Sequence, residues 1–590
     1  MRHTALLLAI FALLVPAARG QDTAPPGPQE TYDAYMTVDT WIRRWDVPVE
    51  RRAMDPARTR SACVTLRFSG KVIGRGTHVS SEGDAVWAAT RQAWLEAQSR
   101  LPVPNDATRN EEIRRIAPLV MIDLQLGGAN LPMLGETFVD ASLDVSPGLS
   151  GVSARAGDRR AAIFPGTMLA LNFTPELALR AAAGELDLPP KELGALRADH
   201  GVSVARFRAI HLAQAKPGAP PMFLSRGSKL VPATDVSGPN LREAAVAMAH
   251  HLMSHAWPGP EPHGMSGDYV STTGRYDPPI ASPRVQAIAA FALLRFAETP
   301  GIEHGIATRA EIFARDLLSE LTDVTQSEQN PLDNPVDAAA WLLADEHARE
   351  SDLYESVTAE FRGAAQQLVL DAVRDRAALR RTVSPAERAL IAAAVATISG
   401  TGESPPQAES LARELTVELY RETPEGEVVS LMPWLAIASS ELKGAEAAYV
   451  GAGAVRSSRE SVWAHQISAD ELGVEESDLA GGIVFTRGRN PLPTWHSLRP
   501  LAFVAMTLGE PAVTDGDEFL EQFANLARSL RFVLQLAVRE PDLHMMQNPD
   551  RALGGVRLST WDARVSVDAT SLGLLTVSET LRAVEHASNR

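Results

Sequence analysis

The sequence predicts a multidomain protein, with a mixed α+β domain in its N-terminal part and an all-helical domain in its C-terminal part. Three observations predict this. Between 62 and 213, segments of period-two alternation interleave with segments of helical period. Beyond 240 the strand signals almost vanish. The two regimes are separated by KPGAPPMFLSRGSKLVPATDVSGPN, a stretch rich in Gly, Pro and Ser. The expected organisation is a leader over 1–20, a linker over 21–34, the α+β domain over 35–214, a connector over 215–240 and the helical domain over 241–590. With 590 residues and 45% hydrophobic content, the chain can fill a core in each.

The leader carries Arg2 and His3, an apolar run from Ala5 to Val15, and small residues at Ala18 and Gly20. This is the pattern of a secretory signal peptide, and cleavage is expected after Gly20. The run is well short of the ~20 residues that span a bilayer. The most apolar later stretch, AIAAFALL, is bracketed by Arg284 and Arg295, so no transmembrane anchor is expected and the chain reads as exported, periplasmic or extracellular, and soluble. A net charge of −17 without a run of Lys and Arg opposes nucleic-acid binding. Cys63 is the one cysteine, so no internal disulfide forms and packing alone must stabilise the fold.

Elements follow from periodicity. In TYDAYMTVDTWIRRW, Tyr35, Val38, Trp41, Ile42 and Trp45 recur at helical spacing. ACVTLRFSG places Val64, Leu66 and Phe68 on one face and Thr65 and Arg67 on the other, a half-buried strand. Residues 84–98 return to helical period with Trp87 and Trp94 seven apart, MIDLQL and RAAIFPG read as strands, and a helix opens at Pro175. In the C-terminal part about a dozen helical segments are expected. Val285, Ile288, Ala289, Ala292 and Phe296 form one apolar stripe, and Phe519, Phe523, Leu526, Leu530 and Val533 another. Helices with one apolar face must pack in antiparallel pairs, and a closed ring is favoured because no strict repeat demands a solenoid.

Three motifs of residues 62–213 carry a resemblance: ACVTLRFSGKVIG, GDAVWAATRQAWLEAQSRL and GLSGVSARAGDRRAAIFPG, the last ending in Phe164 and Pro165. In the order strand, helix, glycine-led hairpin, this region resembles the AMMECR1 family. The family's second strand carries Arg-Gly-Cys-Ile-Gly, whereas here Ile73, Gly74, Arg75, Gly76 and Thr77 stand at those positions, so the thiol is absent at position 75. The resemblance implies a fold more firmly than an activity. In the C-terminal part, GRYDPPIASPRVQAIAAFALLRFAE and GGVRLSTWDARVSVDATSLGLLTVSETL resemble the α/α-toroid domains of carbohydrate-active enzymes and terpenoid-cyclase relatives, which implies a ring of about six helix hairpins. Fold likeness does not transfer chemistry.

The motifs of common chemistries are missing. AHHLMSHAWPGPEPHG sets His251 and His255 four apart, with His250 and His263 nearby, but lacks the glutamate of a zinc-protease helix, so the histidines read as helix-surface residues and no metal is expected. GMSGD at 264–268 has no leading strand for a nucleophile elbow, and GAGAVRSS at 451 lacks the strand and lysine of a phosphate loop, so no cofactor is predicted. Three long polar and aromatic loops remain, 256–279, 481–500 and 540–568. They flank the first and last parts of the helical domain, which abut if the ring closes. Asp268, Asp277 and Asp562 are therefore the candidate acid/base carboxylates, and Trp495, His496, Trp561 and Arg564 the candidate substrate-binding residues of one shared rim. Asp568, just before the last helix, reads as an N-cap. Two functions stay open: a binding or assembly protein of the cell envelope, and a carbohydrate-active enzyme acting on a saccharide or envelope polymer.

Overall fold

The computed structural model of the protein describes residues 25–589 apart from 81, 102, 104–107, 259–263, 324–329, 350–351, 401–404, 443–451 and 486–490; the leader over 1–20, His263, and Arg487 and Arg489 of the second loop lie outside the described residues. The chain divides between Lys229 and Leu230 into two compact units.

The N-terminal unit opens with helix α1 (Pro28–Arg44), which starts inside the stretch read as a linker because Pro28 sits in its first turn with φ already set for a helix. Strands β1 (Ser61–Phe68) and β2 (Lys71–Val79) form a hairpin followed by α2 (Ala85–Arg100), α3 (Arg109–Ile116), β3 (Met121–Gly127), the short β4 (Leu131–Pro132) and α4 (Phe138–Ser142). Then come β5 (Ser150–Ala156), β6 (Arg159–Ile163), α5 (Pro165–Leu171), α6 (Pro175–Gly184), α7 (Leu193–His200), β7 (Ser203–Ala213) and β8 (Met222–Leu224). The sheet is antiparallel, in order β2-β1-β3-β7-β5-β6, with β4 and β8 also on β7. The Gly/Pro-rich stretch 215–240 thus supplies a strand of its own.

Two local readings are corrected. Helix α2 packs on the hairpin through Ala89, Ala93 and Ala97, while Trp87 and Trp94 are half-buried. The cause lies in β2, where a Cβ at Gly74 or Gly76 would run into the carbonyl oxygens of Ala93 and Ala89. Glycine facing alanine lets strand and helix backbones touch, which bulky residues would prevent. Strand β1 is buried on both faces. Ala62, Val64 and Leu66 join the core under α1 and α2, while Cys63 packs with Phe164 and Phe207. Arg67 is buried too, and desolvation lowers its guanidinium to about 10 against the pull of Asp123.

The C-terminal unit contains α8 (Gly238–Ser254), β9 (Asp268–Val270), β10 (Arg275–Asp277), α9 (Pro283–Ala297), α10 (His304–Glu320), α11 (Pro335–Glu346), α12 (Asp352–Arg374), α13 (Arg376–Thr382) and α14 (Pro385–Ser399). It continues through α15 (Ala408–Glu422), α16 (Trp434–Glu441), α17 (Ala452–Trp463), α18 (Leu498–Leu508), α19 (Gly516–Leu536), α20 (Pro549–Ala552), β11 (Val556–Ser559), β12 (Asp562–Ser566) and α21 (Val567–Ser588). Among the described residues six helices close an inner ring, each packing on the next in the order α9, α11, α14, α16, α18, α21 and back to α9. Helices α8, α10, α12, α15, α17 and α19 lie outside, each wedged against two inner neighbours. The inner helices are alanine-rich and buried almost all round, as in IAAAVATIS of α14, so α9 does not bury only the stripe its periodicity suggests. A helix ringed by four neighbours has no solvent face.

Four short strands pair in the order β10-β9-β12-β11, where almost no strand signal is expected from periodicity. They have three to five residues each, and β9 meets β12 from nearly three hundred positions away through Val565 and Tyr269. Local periodicity cannot register such pairing.

Deep in this unit Asp345, fully buried, accepts from Arg362 Nε at 2.5 Å, Arg362 Nη2 at 3.0 Å and the Tyr354 hydroxyl at 2.8 Å. Asp345→Ala takes the fully buried partner from Arg362, leaving it the half-buried Glu355, and is expected to cost about 3–5 kcal/mol, read as a lowered urea midpoint. An unchanged midpoint would remove this ion pair from the stability of the ring. In the N-terminal unit, Gly76→Ala forces β2 off α2 and is expected to cost about 1–3 kcal/mol, visible in the same titration. A neutral result there would mean that the strand–helix contact is slack.

Candidate active site at one mouth of the helical ring

First-turn residues of five inner helices, Arg284, Glu387, Trp434, Arg499 and Asp568 among them, line a cavity of about 210 Å³. Last-turn residues of the same helices, with those of α11, line a second of about 470 Å³. The inner helices therefore run in one direction, with an N-terminal and a C-terminal mouth. At the C-terminal mouth the charges neutralise one another: Arg295 Nε meets Glu579 at 2.7 Å and Arg582 pairs with Glu298. The N-terminal unit has its own open groove of about 1340 Å³ beside β2 and β6, where Arg51 pairs with Glu82 and, at 2.6 Å, with Asp84. Each of the three cavities is lined by a residue with a buried polar atom that has no hydrogen-bond partner: Arg75 in the groove, Thr397 at the C-terminal mouth and Asp568 at the N-terminal mouth.

Of these three residues, Asp568 is the carboxyl. The N-cap of α21 is Ser566, whose hydroxyl accepts from the Ala569 N–H at 3.4 Å, so Asp568 is not the cap that the sequence suggested. Another orphan N–H of this helix end, that of Val567, is bound at 2.9 Å by Asp268, reaching over from β9. With the helix end served by two other side chains, the Asp568 carboxyl has no capping work. The residue is half-buried as a whole, yet its Oδ1 is sealed from solvent and has no hydrogen-bond partner. Burial pushes its pKa up, against the pull of the Arg284 and Arg499 guanidiniums.

The neighbours are set by ordinary capping chemistry. Pro283 and Pro385 open α9 and α14, and Ser384 and Glu387 form a reciprocal capping box. Glu387 Oε1 also accepts from Arg284 Nη1 at 2.7 Å. Burial pushes Glu387 up, but the Ser384 side chain and backbone N–H, together with Arg284, outweigh it and hold the carboxyl below its usual range. Arg499 is pushed down by burial, opposed by Asp568 and reinforced by Arg284. Its guanidinium lies 5.3 Å from the centre of the Trp495 ring, which stacks on His496 at 4.2 Å. Burial, then Arg499, lowers His496 to about 4, so it is neutral at pH 7.

The loops 256–279 and 540–568 meet in the four-stranded sheet, but most of the residues proposed from sequence do not reach the cavity. Asp268 and Asp277 face each other across the β9–β10 pair, where Asp277 is exposed. Burial raises Asp268, and its neighbour Asp568 adds to the rise against the Val567 N–H. Asp562 is occupied by Arg564, two residues on, at 2.6 Å. Trp561 is half-buried against the main core. None of Asp268, Asp277, Asp562, Trp495, His496, Trp561 and Arg564 lines the 210 Å³ cavity; Asp268 bears on it through Asp568, and Trp495 and His496 through Arg499. Sequence reasoning missed Arg284, Glu387, Trp434 and Arg499, and misread Asp568. One signal was available: each lies at the start of an alanine- or leucine-rich helix, where a buried helix has no structural need of a charge. His251 and His255 are buried rather than on the helix surface, with rings 4.5 Å apart. Burial takes His255 down to about 4, and burial together with His255 holds His251 well below the usual imidazole range.

A carboxyl whose folded pKa is raised favours the fold below its unfolded pKa, near 3.9, and loses that contribution as pH rises through the folded value. Asp568→Asn keeps the neutral form at every pH. The variant is therefore expected to match the wild type in melting temperature near pH 4 and to exceed it by a few degrees near pH 8. A variant less stable at pH 8 would show that ionised Asp568 is held comfortably by Arg284 and Arg499.

No family model matches the chain, and no curated protein matches it. Among solved structures the chain is similar to the uncharacterized protein PH0010 from Pyrococcus horikoshii, with 15% identity over 34% of this chain and 96% of that one and a TM-score of 0.25. The relationship is weak, and the site rests on its own geometry.

Proposed function

We propose that the N-terminal mouth of the ring is the acid/base site of a carbohydrate-processing enzyme, with Asp568 as proton donor and Glu387 as its ionised partner. The observation that carries this reading is Asp568 itself, which lines a cavity together with two arginines and whose Oδ1 is buried with no hydrogen-bond partner. Buried polar atoms are nearly always bonded, and an exception at a cavity marks a group kept for a task. Two further features support it. The carboxyls of Asp568 and Glu387 are pushed in opposite directions, the condition under which one delivers a proton while the other stays charged. Trp434 in the wall offers an aromatic surface against which a sugar ring lies. The cavity is small against the ~300–1,000 Å³ of drug-sized sites, so it takes one ring at a time, end-on. Asp568 then protonates the oxygen of the glycosidic bond as it breaks, while water adds to the anomeric carbon and gives up its proton to the ionised Glu387.

In the same reading the chain is exported, on the pattern of residues 1–20, and its substrate is an extracytoplasmic saccharide or envelope polymer. The N-terminal unit is read as AMMECR1-like, on its motifs and its antiparallel strand–helix–hairpin order. Arg75 in place of the thiol, in an open groove where Arg51 pairs with Asp84, suits recognition better than catalysis there.

The test is turnover of a panel of envelope glycans, followed as new reducing ends. Asp568→Asn is expected to lower kcat at least ~10²-fold with little change in KM, while Asp277→Asn, away from the cavity, leaves both unchanged. If the wild type binds glycans and cleaves none of them, the binding and assembly reading replaces the enzymatic one.

A further inference from the structure

The cavity at the N-terminal mouth is charged in a way that proton transfer alone does not require. Arg284 and Arg499 are each the second residue of an inner helix, α9 and α18. A helix start carries about +0.5 of an elementary charge from its unpaired N–H groups and favours an acid. Two arginines at two such ends, inside a ring where the starts of three more helices converge, oppose the preference of the backbone. Their presence is unfavourable for the fold and calls for a compensating anion.

The protein supplies only part of it. Glu387 takes Arg284 at 2.7 Å. Arg499 makes no ion pair among the described residues; its named company is the Trp495 ring, the neutral His496 and the Asp568 carboxyl. Burial disfavours the charged form of Asp568, and Arg499 stands on the cavity wall without an ion-pair partner among the described residues, with the helix starts adding to its positive charge. We infer that the sugar taken up at this mouth is acidic, bearing a carboxylate or sulfate ester that Arg499 binds while the ring lies against Trp434. A planar guanidinium matches an oxyanion with two parallel hydrogen bonds, which a hydroxyl cannot accept in the same way. This inference rests on the carbohydrate reading above and narrows its substrate class.

Binding of glucuronate, glucose 6-sulfate and glucose to the full chain, by calorimetry at low and at high salt, tests it without requiring turnover. At least one of the two anionic sugars is expected to bind about tenfold or more tightly than glucose, with an affinity that falls as salt is raised; which of the two binds better identifies the oxyanion. Arg499→Gln should remove that preference and leave glucose binding as it is, and Arg499→Lys should restore part of it. Equal affinity for all three sugars in the wild type would overturn the acidic assignment and leave the carbohydrate reading standing. Failure of all three to bind would overturn both. The wild-type comparison decides even if the Arg499 variants do not fold.

Discussion

The C-terminal unit depends on one topological constraint: the first and last inner helices must meet. α9 and α21 lie almost three hundred residues apart and are neighbours in the ring, so the fold is complete only when the end of the chain has returned to its beginning. The closing element is fixed at its start. Asp268, just ahead of α9, binds the Val567 N–H of α21, and β9 pairs with β12 beside it. A strand from the opening of the ring thus caps the helix that shuts it. The same contact relieves Asp568 of capping work. The hydrogen bond from Asp268, with the Ser566 cap, thus serves both closure of the ring and the freedom of Asp568 from capping.

Much of the architecture was legible because it is written in local periods. Alternation in ACVTLRF and MIDLQL, the helical spacing of Tyr35, Val38 and Ile42, and the disappearance of strand signals beyond 240 all describe what a segment does with its own neighbours. What was not legible needs a partner. The second buried face of β1 depends on Phe164 and Phe207, which arrive a hundred and more residues later. The alanine face of α2 is chosen by two glycines in β2 rather than by the tryptophans of the helix itself. The four-stranded sheet joins pieces too short to show alternation.

The candidate site divides along the same line. The loops rich in aspartate and tryptophan were visible, and two of them do meet. Their carboxylates, however, are largely taken up by structure: Asp268 by a helix end and Asp562 by Arg564. The groups that remain uncommitted are single residues at helix starts. In sequence a charged residue two positions into a helix looks like capping, and for Glu387 it is capping as well. Only the closed ring shows that the starts of α9, α14, α16, α18 and α21 open on one space. Sequence could give the composition of these residues and not their convergence.

The lone cysteine has a practical meaning. Cys63 sits fully buried between Phe164, Phe207 and Ala162, and burial pushes its thiol up, away from the reactive thiolate. A thiol that is both sealed and protonated is silent toward maleimides and toward exchange with other thiols. A cysteine introduced on any surface would therefore be the single reactive one. Spin labels or fluorophores could be set in pairs around the mouth of the ring without first removing a native residue, and the width of that mouth could be followed in solution as candidate ligands are added.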